Sequence, residues 1–456
     1  MAESLSGILW PPFKRSVPHR PQAYVEILEQ TQWLSPDEIQ EKQASQLRRL
    51  LKHAHATVPF YRKIMEEAGF NPEKIKQPAD LRPLPLLKRG TLQTVGMQLQ
   101  STKPPQDHGP AQEHTTSGSV SMPVQVIKQR LMGHLWDAIT IREHLWHGRD
   151  FSQGLVAIRN LKKSPFSHPH RHLLPNWGSP VNPMIKTGPS TLLSINVPVD
   201  QQLAWLQSIP FRYYLATYPS NLHALLVTSQ GVNPALPGIL GVRTLSETLD
   251  DQTRALCHTL WGHAIQDIYS CEEVGYMAIQ CPNGPGYHTQ DETILVEILD
   301  DQDQPTPPGQ VGRVVVTPLH GFGMPLIRYE VGDFAEVGNR CPCGRGLGVI
   351  RRILGRVRNL VTMPDGSRFW PSGFAKVGKI KAIKQHRTIQ TTTQNLEVQL
   401  VVHRPLTVEE EVETKELFKS YIGHHFDVLL TYHDTLARSQ SGKFEDFISL
   451  IPAPIR

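Results

Sequence analysis

Four short segments break the chain at turn-forming residues: TSGSVSMP at Thr116–Pro123, YSCEEVG at Tyr269–Gly275, RYEVGD at Arg328–Asp333 and SGK at Ser441–Lys443. Their order along 456 residues constrains the fold more than any single element does. For the four to serve one ligand, loops far apart in sequence must return to a common place. One compact core does not extend over this length, so two or more domains are expected. Taken together, the segments read as a site that grips a nucleotide triphosphate and then offers a lysine from the far end of the chain. That order predicts an enzyme that uses ATP, not a binding module.

Between the motifs, local pattern gives the organisation. Ser35 can cap a helix that Pro36 opens, with Glu38 three residues on. Leu47, Leu50, Leu51, Ala54 and Val58 then recur at helical spacing until Pro59. Residues 1–34 read as an arm over the body, and 80–110 and 160–195 as connections rich in proline and turn residues. From about 290 the pattern turns to strands, TILVEIL (293–299) and GRVVVTP (312–318). After Arg356 it changes again: Leu396, Val398, Leu400 and Val402 alternate as in a half-buried strand, Thr407 and Glu410 open a helix, and Phe426–Tyr432 reads as a second strand. We therefore expect a domain boundary near residue 355, dividing a large N-terminal domain (1–355) from a small α+β domain (356–456) that carries the SGK loop.

Composition excludes several classes. A formal charge of +5 is small for this length, its positive residues are spread out, and no nucleic-acid-binding module is recognisable. The N-terminal residues lack the apolar run of a signal peptide, and no stretch reaches the ~18 apolar residues that cross a bilayer. Five cysteines in such a chain are not a disulfide framework, so a reducing cytoplasm is the expected location. Neither nucleic acid nor membrane is expected as a partner. The oligomeric state is open, a homodimer being one option.

Each motif has its own chemistry. In Thr116–Pro123, glycine and hydroxyls suit a loop whose N–H groups wrap phosphates, although the lysine of a Walker A loop is absent and a surface turn fits as well. In YSCEEVG an aromatic ring that can stack on adenine precedes two carboxylates, either of which can hold Mg²⁺ against phosphates; an acidic strand end is the plainer alternative. Asp333 can accept both hydroxyls of a ribose or close a structural turn. Lys443 can neutralise charge developing at an α-phosphate, or remain solvated. Separately, Cys281, His288, Cys341 and Cys343 form a Cys₃His set from two loops, suited to closed, structural zinc or else a group of ordinary thiols.

The motif set resembles the adenylate-forming superfamily of acyl-CoA synthetases, most closely its phenylacetate–CoA ligase-like branch. The similarity also takes in VPFYR (58–62), YPSNL (218–222), PLIRYEVGD and CPCGRGLGVIRRILGR. It implies an α/β fold, with a large multi-subdomain N-terminal adenylate-forming domain and a small mobile C-terminal α+β domain. It assigns Thr116, Ser117, Gly118 and Ser119 to the phosphate loop, Ser246 and Glu247 to the adenine segment, and Tyr269 to the ring on adenine. Glu273 becomes the Mg²⁺ carboxylate, Asp333 and Arg356 the ribose ligands, Arg358 the hinge residue and Lys443 the adenylation lysine. The Cys/His set resembles a zinc site of some members.

Five positions depart from the family, two of them being Ser270 in place of a glycine and Arg358 in place of the usual hinge aspartate. Val120 and Ser121 replace the second threonine and glycine of the phosphate loop, and Glu272 replaces a threonine that faces phosphate. A like charge at ~4 Å costs roughly 4 kcal/mol at an effective dielectric of 20, so Glu272 must point away, pair with a basic residue or bind Mg²⁺. The implied function is ATP- and Mg²⁺-dependent conversion of an aromatic carboxylic acid to an acyl-adenylate, then transfer to a thiol, coenzyme A by default. Alternatives are delivery to a carrier protein, amine or hydroxyl, and a degenerate homologue that binds nucleotide without turnover. The acid pocket is expected from 213–222, 243–247 and 269–277, with Tyr213, Tyr214 and His223 as candidates better suited to core packing.

Overall fold

A computed structural model of the chain describes residues 4–13, 21–115, 124–161, 173–179, 181, 185–232, 236–369, 371, 380–439 and 442–451. The helix expected from Ser35 runs over Pro36–Thr57, and its first turn is closed by a reciprocal capping box between Ser35 and Glu38. Leu47, Leu50, Leu51 and Ala54 are buried on one stripe, and burying each leucine contributes about 1.5–3 kcal/mol. Pro59 does more than stop this helix. Val58, held extended by the proline that follows, caps one helix and precedes the next, Pro59–Glu67. The expected N-terminal arm contains a helix, Pro21–Thr31.

The fold is mixed α/β, and the chain divides into two compact units. The first comprises residues 1–155, 173–190 and 266–353. Its strands lie in the order Ile294–Leu299, Val311–Pro318, Tyr329–Val337, Val349–Arg356, Tyr287–Thr289, Gly275–Gln280 and Ile265–Cys271. The two strands expected from TILVEIL and GRVVVTP form an antiparallel pair at one end of this run. The helix Arg130–Trp146 packs against Gly275–Gln280 and the N-terminal helix. Arg142, at 0% exposure, fixes it in place: Nη1 and Nη2 reach Glu292 at 3.1 and 2.7 Å, and Nη1 also meets Gln290 at 3.1 Å. Removing one partner of such a buried pair costs about 3–5 kcal/mol, because the other charge is left desolvated.

The second unit comprises residues 156–172, 191–265 and 354–456. Strands Tyr213–Thr217 and Ile239–Leu245 are parallel, and Leu215, Leu222, Leu226, Val242 and Cys257 fill the core beside them. In its C-terminal part, Asn395–Val402, helix Val408–Ile422 and Asp427–Tyr432 make the expected β-α-β unit, with the two strands parallel and Thr407 and Glu410 closing a second capping box. Ile383–Gln390 and Phe447–Ser449 complete a four-stranded sheet over a core of Val398, Leu400 and Phe418.

Candidate active site

In the first unit, the YSCEEVG segment is a tight hairpin, with Cys271 opposite Gly275 and the two glutamates at its tip. Tyr269 is buried and its hydroxyl donates to Asp333 Oδ2 at 2.8 Å, so two of the four motifs meet directly. Glu273 is 9% exposed and receives Arg89 Nη1 at 2.9 Å. Glu272 diverges from it: its carboxylate is 56% exposed and faces His114 Nδ1 at 3.4 Å, while Lys128 donates to its backbone carbonyl. Of the three solutions open to Glu272, the chain thus uses a basic partner. Burial lowers the Lys128 ammonium pKa and raises the Cys271 thiol well above its ordinary value. Thr116, Ser117, Gly118, Ser119, Val120 and Ser121 lie outside the described residues; the strands flanking them, Ala111–Thr115 and Gln125–Gln129, are antiparallel with Thr115 opposite Gln125.

In the second unit, Ser246 adopts φ +74°, a left-handed conformation uncommon outside glycine, immediately before Glu247. The Glu247 carboxylate accepts from the Ser220 N–H at 2.9 Å and from the Phe444 N–H at 2.8 Å, with Arg438 Nη1 at 3.8 Å. Burial raises its pKa, against the pull of those hydrogen bonds and of Arg438. Lys443 is half-buried in a turn closed by the Ser439 N–H to its carbonyl at 2.8 Å. Gly442 has φ +86°, and a Cβ there would lie 2.8 Å from Asn160 Cβ, so the SGK glycine is required sterically. Arg356 ends a strand with its N–H on Asn359 Oδ1 at 3.2 Å, and Arg358 pairs with Glu445. Tyr213 donates to Leu206 O at 3.1 Å inside the core and His223 meets Thr253 at 3.1 Å, so both pack as expected.

Cys281, His288, Cys341 and Cys343 converge in the first unit, with one donor atom from each lying within 4.8 Å of all the others. Cys281 Sγ and Cys341 Sγ are 3.7 Å apart, and His288 Nε2 is 3.2 Å from Cys343 Sγ. Tetrahedral zinc with bonds of ~2.3 Å has sulfur–sulfur edges of ~3.8 Å, so the spacing suits that ion. None of the four is in a disulfide. Burial takes the His288 imidazole down to about 4, leaving it neutral, as a metal ligand must be.

Beside the YSCEEVG hairpin lies a cavity of about 480 Å³, lined by Glu272, Val274 and Gly275 and by one face of the helix Arg130–Trp146. No family model matches the chain. It is 24% identical over 417 residues to the phenylacetate–coenzyme A ligase of Thermus thermophilus, covering 86% of this chain and 84% of that one. It is 25% identical over 450 residues to the phenylacetate–coenzyme A ligase of Pseudomonas putida, covering 91% and 95%. Among solved structures, a 2-hydroxyisobutyryl-CoA ligase in complex with R3-HIB-AMP superposes with a TM-score of 0.71 at 19% identity, covering 92% of this chain and 91% of that chain. Over nearly its whole length the chain is similar to phenylacetate–coenzyme A ligases, and it shares the fold of a solved CoA ligase.

The motifs have partners in the structure that the sequence did not reveal. Arg89, His114 and Lys128 surround the two hairpin glutamates, and Arg438 and Glu445 flank Lys443. No spacing marks the first three, because each comes from an element remote in sequence from the hairpin; Arg438 and Glu445 lie near Lys443 in sequence, but their partners Glu247 and Arg358 do not. The cavity wall is different: Gln129, Met132, Gly133, Trp136 and Asp137 follow the i, i+3, i+4, i+7, i+8 pattern of one helix face, a signal present in the sequence.

Proposed function

We propose that this ligase adenylates a carboxylic acid, aromatic by preference, and passes the acyl group to the thiol of coenzyme A. A carboxylate oxygen attacks the α-phosphorus of ATP and the bond to pyrophosphate breaks. The thiol sulfur then attacks the acyl carbonyl and AMP leaves. In this reading Thr116, Ser117, Gly118 and Ser119 hold phosphates, Ser246, Glu247 and Tyr269 border adenine, and Asp333 and Arg356 take the ribose hydroxyls. Lys443 draws the acid carboxylate and α-phosphate together and offsets the charge that develops between them.

Magnesium usually takes one or two protein carboxylates plus substrate phosphates, so the single buried Glu273 fits it, with Arg89 the cation it would relieve. Bound there, the ion supplies charge neutralisation at the phosphates. Zinc on the Cys₃His set is structural, since four protein ligands leave no open position. Residues 1–355 and 356–456 act as separate domains with Arg358 at the hinge. Among the described residues no helix is long and apolar enough to cross a membrane. A reducing cytoplasm suits five unpaired cysteines.

The observation that supports this most is the hydrogen bond from the Phe444 N–H to Glu247, which joins positions 197 residues apart. It holds the backbone next to Lys443 on the adenine segment. Mass spectrometry of the products tests the reading: an acyl-adenylate with acid and Mg–ATP alone, and a thioester plus AMP once coenzyme A is added. ADP as the product, or a thioester without any acyl-adenylate, would rule it out.

A further inference from the structure

The cavity beside the hairpin contains one carboxylate that the proposed reaction does not use. Asp137 lines it from the helix Arg130–Trp146, half-buried, and makes no hydrogen bond or ion pair among the described residues. The other charged groups of the wall are accounted for. Lys128 donates to the Glu272 carbonyl, the Glu272 carboxylate faces His114, and Arg130 is exposed to solvent. Burial alone pushes the Asp137 carboxyl up to about 6. A desolvated carboxylate is stabilised when a donor reaches it.

The rest of the wall is shaped for a ring. Trp136 packs on Tyr276 at 4.7 Å between ring centres, and Tyr276 is in turn fixed by Thr140 at 3.1 Å. Gly275, at φ +99°, ends the hairpin beside that indole, where a Cβ would sit at an ordinary contact distance of 3.5 Å. Gly133, one turn before Asp137 on the same face, leaves open space where a side chain would project.

Of the segments expected to form the acid pocket, only the 269–277 hairpin borders this cavity; we propose that the cavity nonetheless receives the ring of the acid and that Asp137 selects aromatic acids carrying an N–H or O–H donor at the meta or para position. The inference rests on the adenylating reading, which supplies the acid. The substituent belongs at the far end of the ring because the substrate carboxylate and Asp137 repel each other, and the ring separates them. An unsubstituted ring leaves Asp137 buried without a partner, so discrimination against it follows from the unpaired group.

The test compares phenylacetate and benzoate with their 4-amino and 4-hydroxy derivatives, by pyrophosphate release and by calorimetric titration of each acid alone. Wild type is expected to favour the donor-bearing acids by ~10–100-fold in kcat/KM. Asp137→Leu removes that preference while still using the unsubstituted acids; Asp137→Asn, which keeps an acceptor, retains part of it. A merely structural Asp137 would lower every acid equally in the Leu variant, and that result overturns the proposal. So does equal binding of all the acids by wild type. If no acid is turned over, the adenylating reading fails; a preference for donor-bearing acids in the titration, lost in Asp137→Leu, would still support the assignment of the cavity.

Discussion

Arg358 lays its guanidinium on Glu445, with Nε 3.0 Å and Nη2 2.6 Å from the same carboxylate oxygen. The pair ties the residue proposed as the hinge to the segment two residues beyond Lys443. Where the family carries an aspartate, this chain places the opposite charge and supplies a matching glutamate. Each group is about one-quarter exposed, so the pair contributes no more than ~1 kcal/mol. Arg358→Glu or Glu445→Arg should each slow acid-dependent pyrophosphate exchange about fivefold at low salt, and the double exchange should recover most of that loss. A double variant no better than the worse single one would separate the pair from Lys443.

Glu272 raised the strongest objection from sequence, since a carboxylate in place of the phosphate-facing threonine would repel AMP. With its carboxylate 56% exposed and turned to His114, that objection loses its basis. Glu272→Thr is therefore expected to change kcat/KM by less than ~3-fold, in the range of surface substitutions. A gain of a hundredfold would show that Glu272 does face the phosphate.

Bound zinc should be recovered at one per chain by elemental analysis, and Cys343→Ser should lose it and lower the thermal midpoint. Metal binding and folding are coupled where ligands converge from separate loops, as here from residues 281–288 and 341–343. Protein purified from zinc-replete cells without the metal would remove this assignment.

Stability should fall in mild acid. His320 is buried with a ring nitrogen 3.0 Å from the Trp10 carbonyl, and burial takes its pKa from about 6.5 to about 4. A folded-state pKa below the unfolded value means the unfolded chain binds the extra proton. The stability linked to this group is fully present above pH ~6.5 and is lost as pH falls toward 4, by up to ~1.4 kcal/mol per pH unit. Urea denaturation across that window should show the loss, and His320→Gln should flatten it. An unchanged slope in the variant would assign the effect elsewhere.

Much of the fold was legible because it rests on local chemistry. The capping boxes at Ser35 and Thr407 and the alternation from Leu396 to Val402 need only neighbours in sequence. The Cys/His convergence was also readable, since few other uses suit those residues in paired turns. What stayed hidden depends on tertiary contact. Arg89 on Glu273, Arg438 near Glu247 and Glu445 on Arg358 are ordinary surface-type residues until the fold brings them together. Asp137 carries no motif either: it is one polar residue on a half-buried helix face.

The central claim is that Lys443 serves adenylation. ATP–pyrophosphate exchange, measured with and without aromatic acid, tests it most directly. Acid-dependent exchange is expected in the wild type, with a loss of at least ~10²-fold in Lys443→Ala and ATP binding retained. Exchange at the wild-type rate in Lys443→Ala, or a wild type that binds ATP but exchanges with no acid, would contradict it.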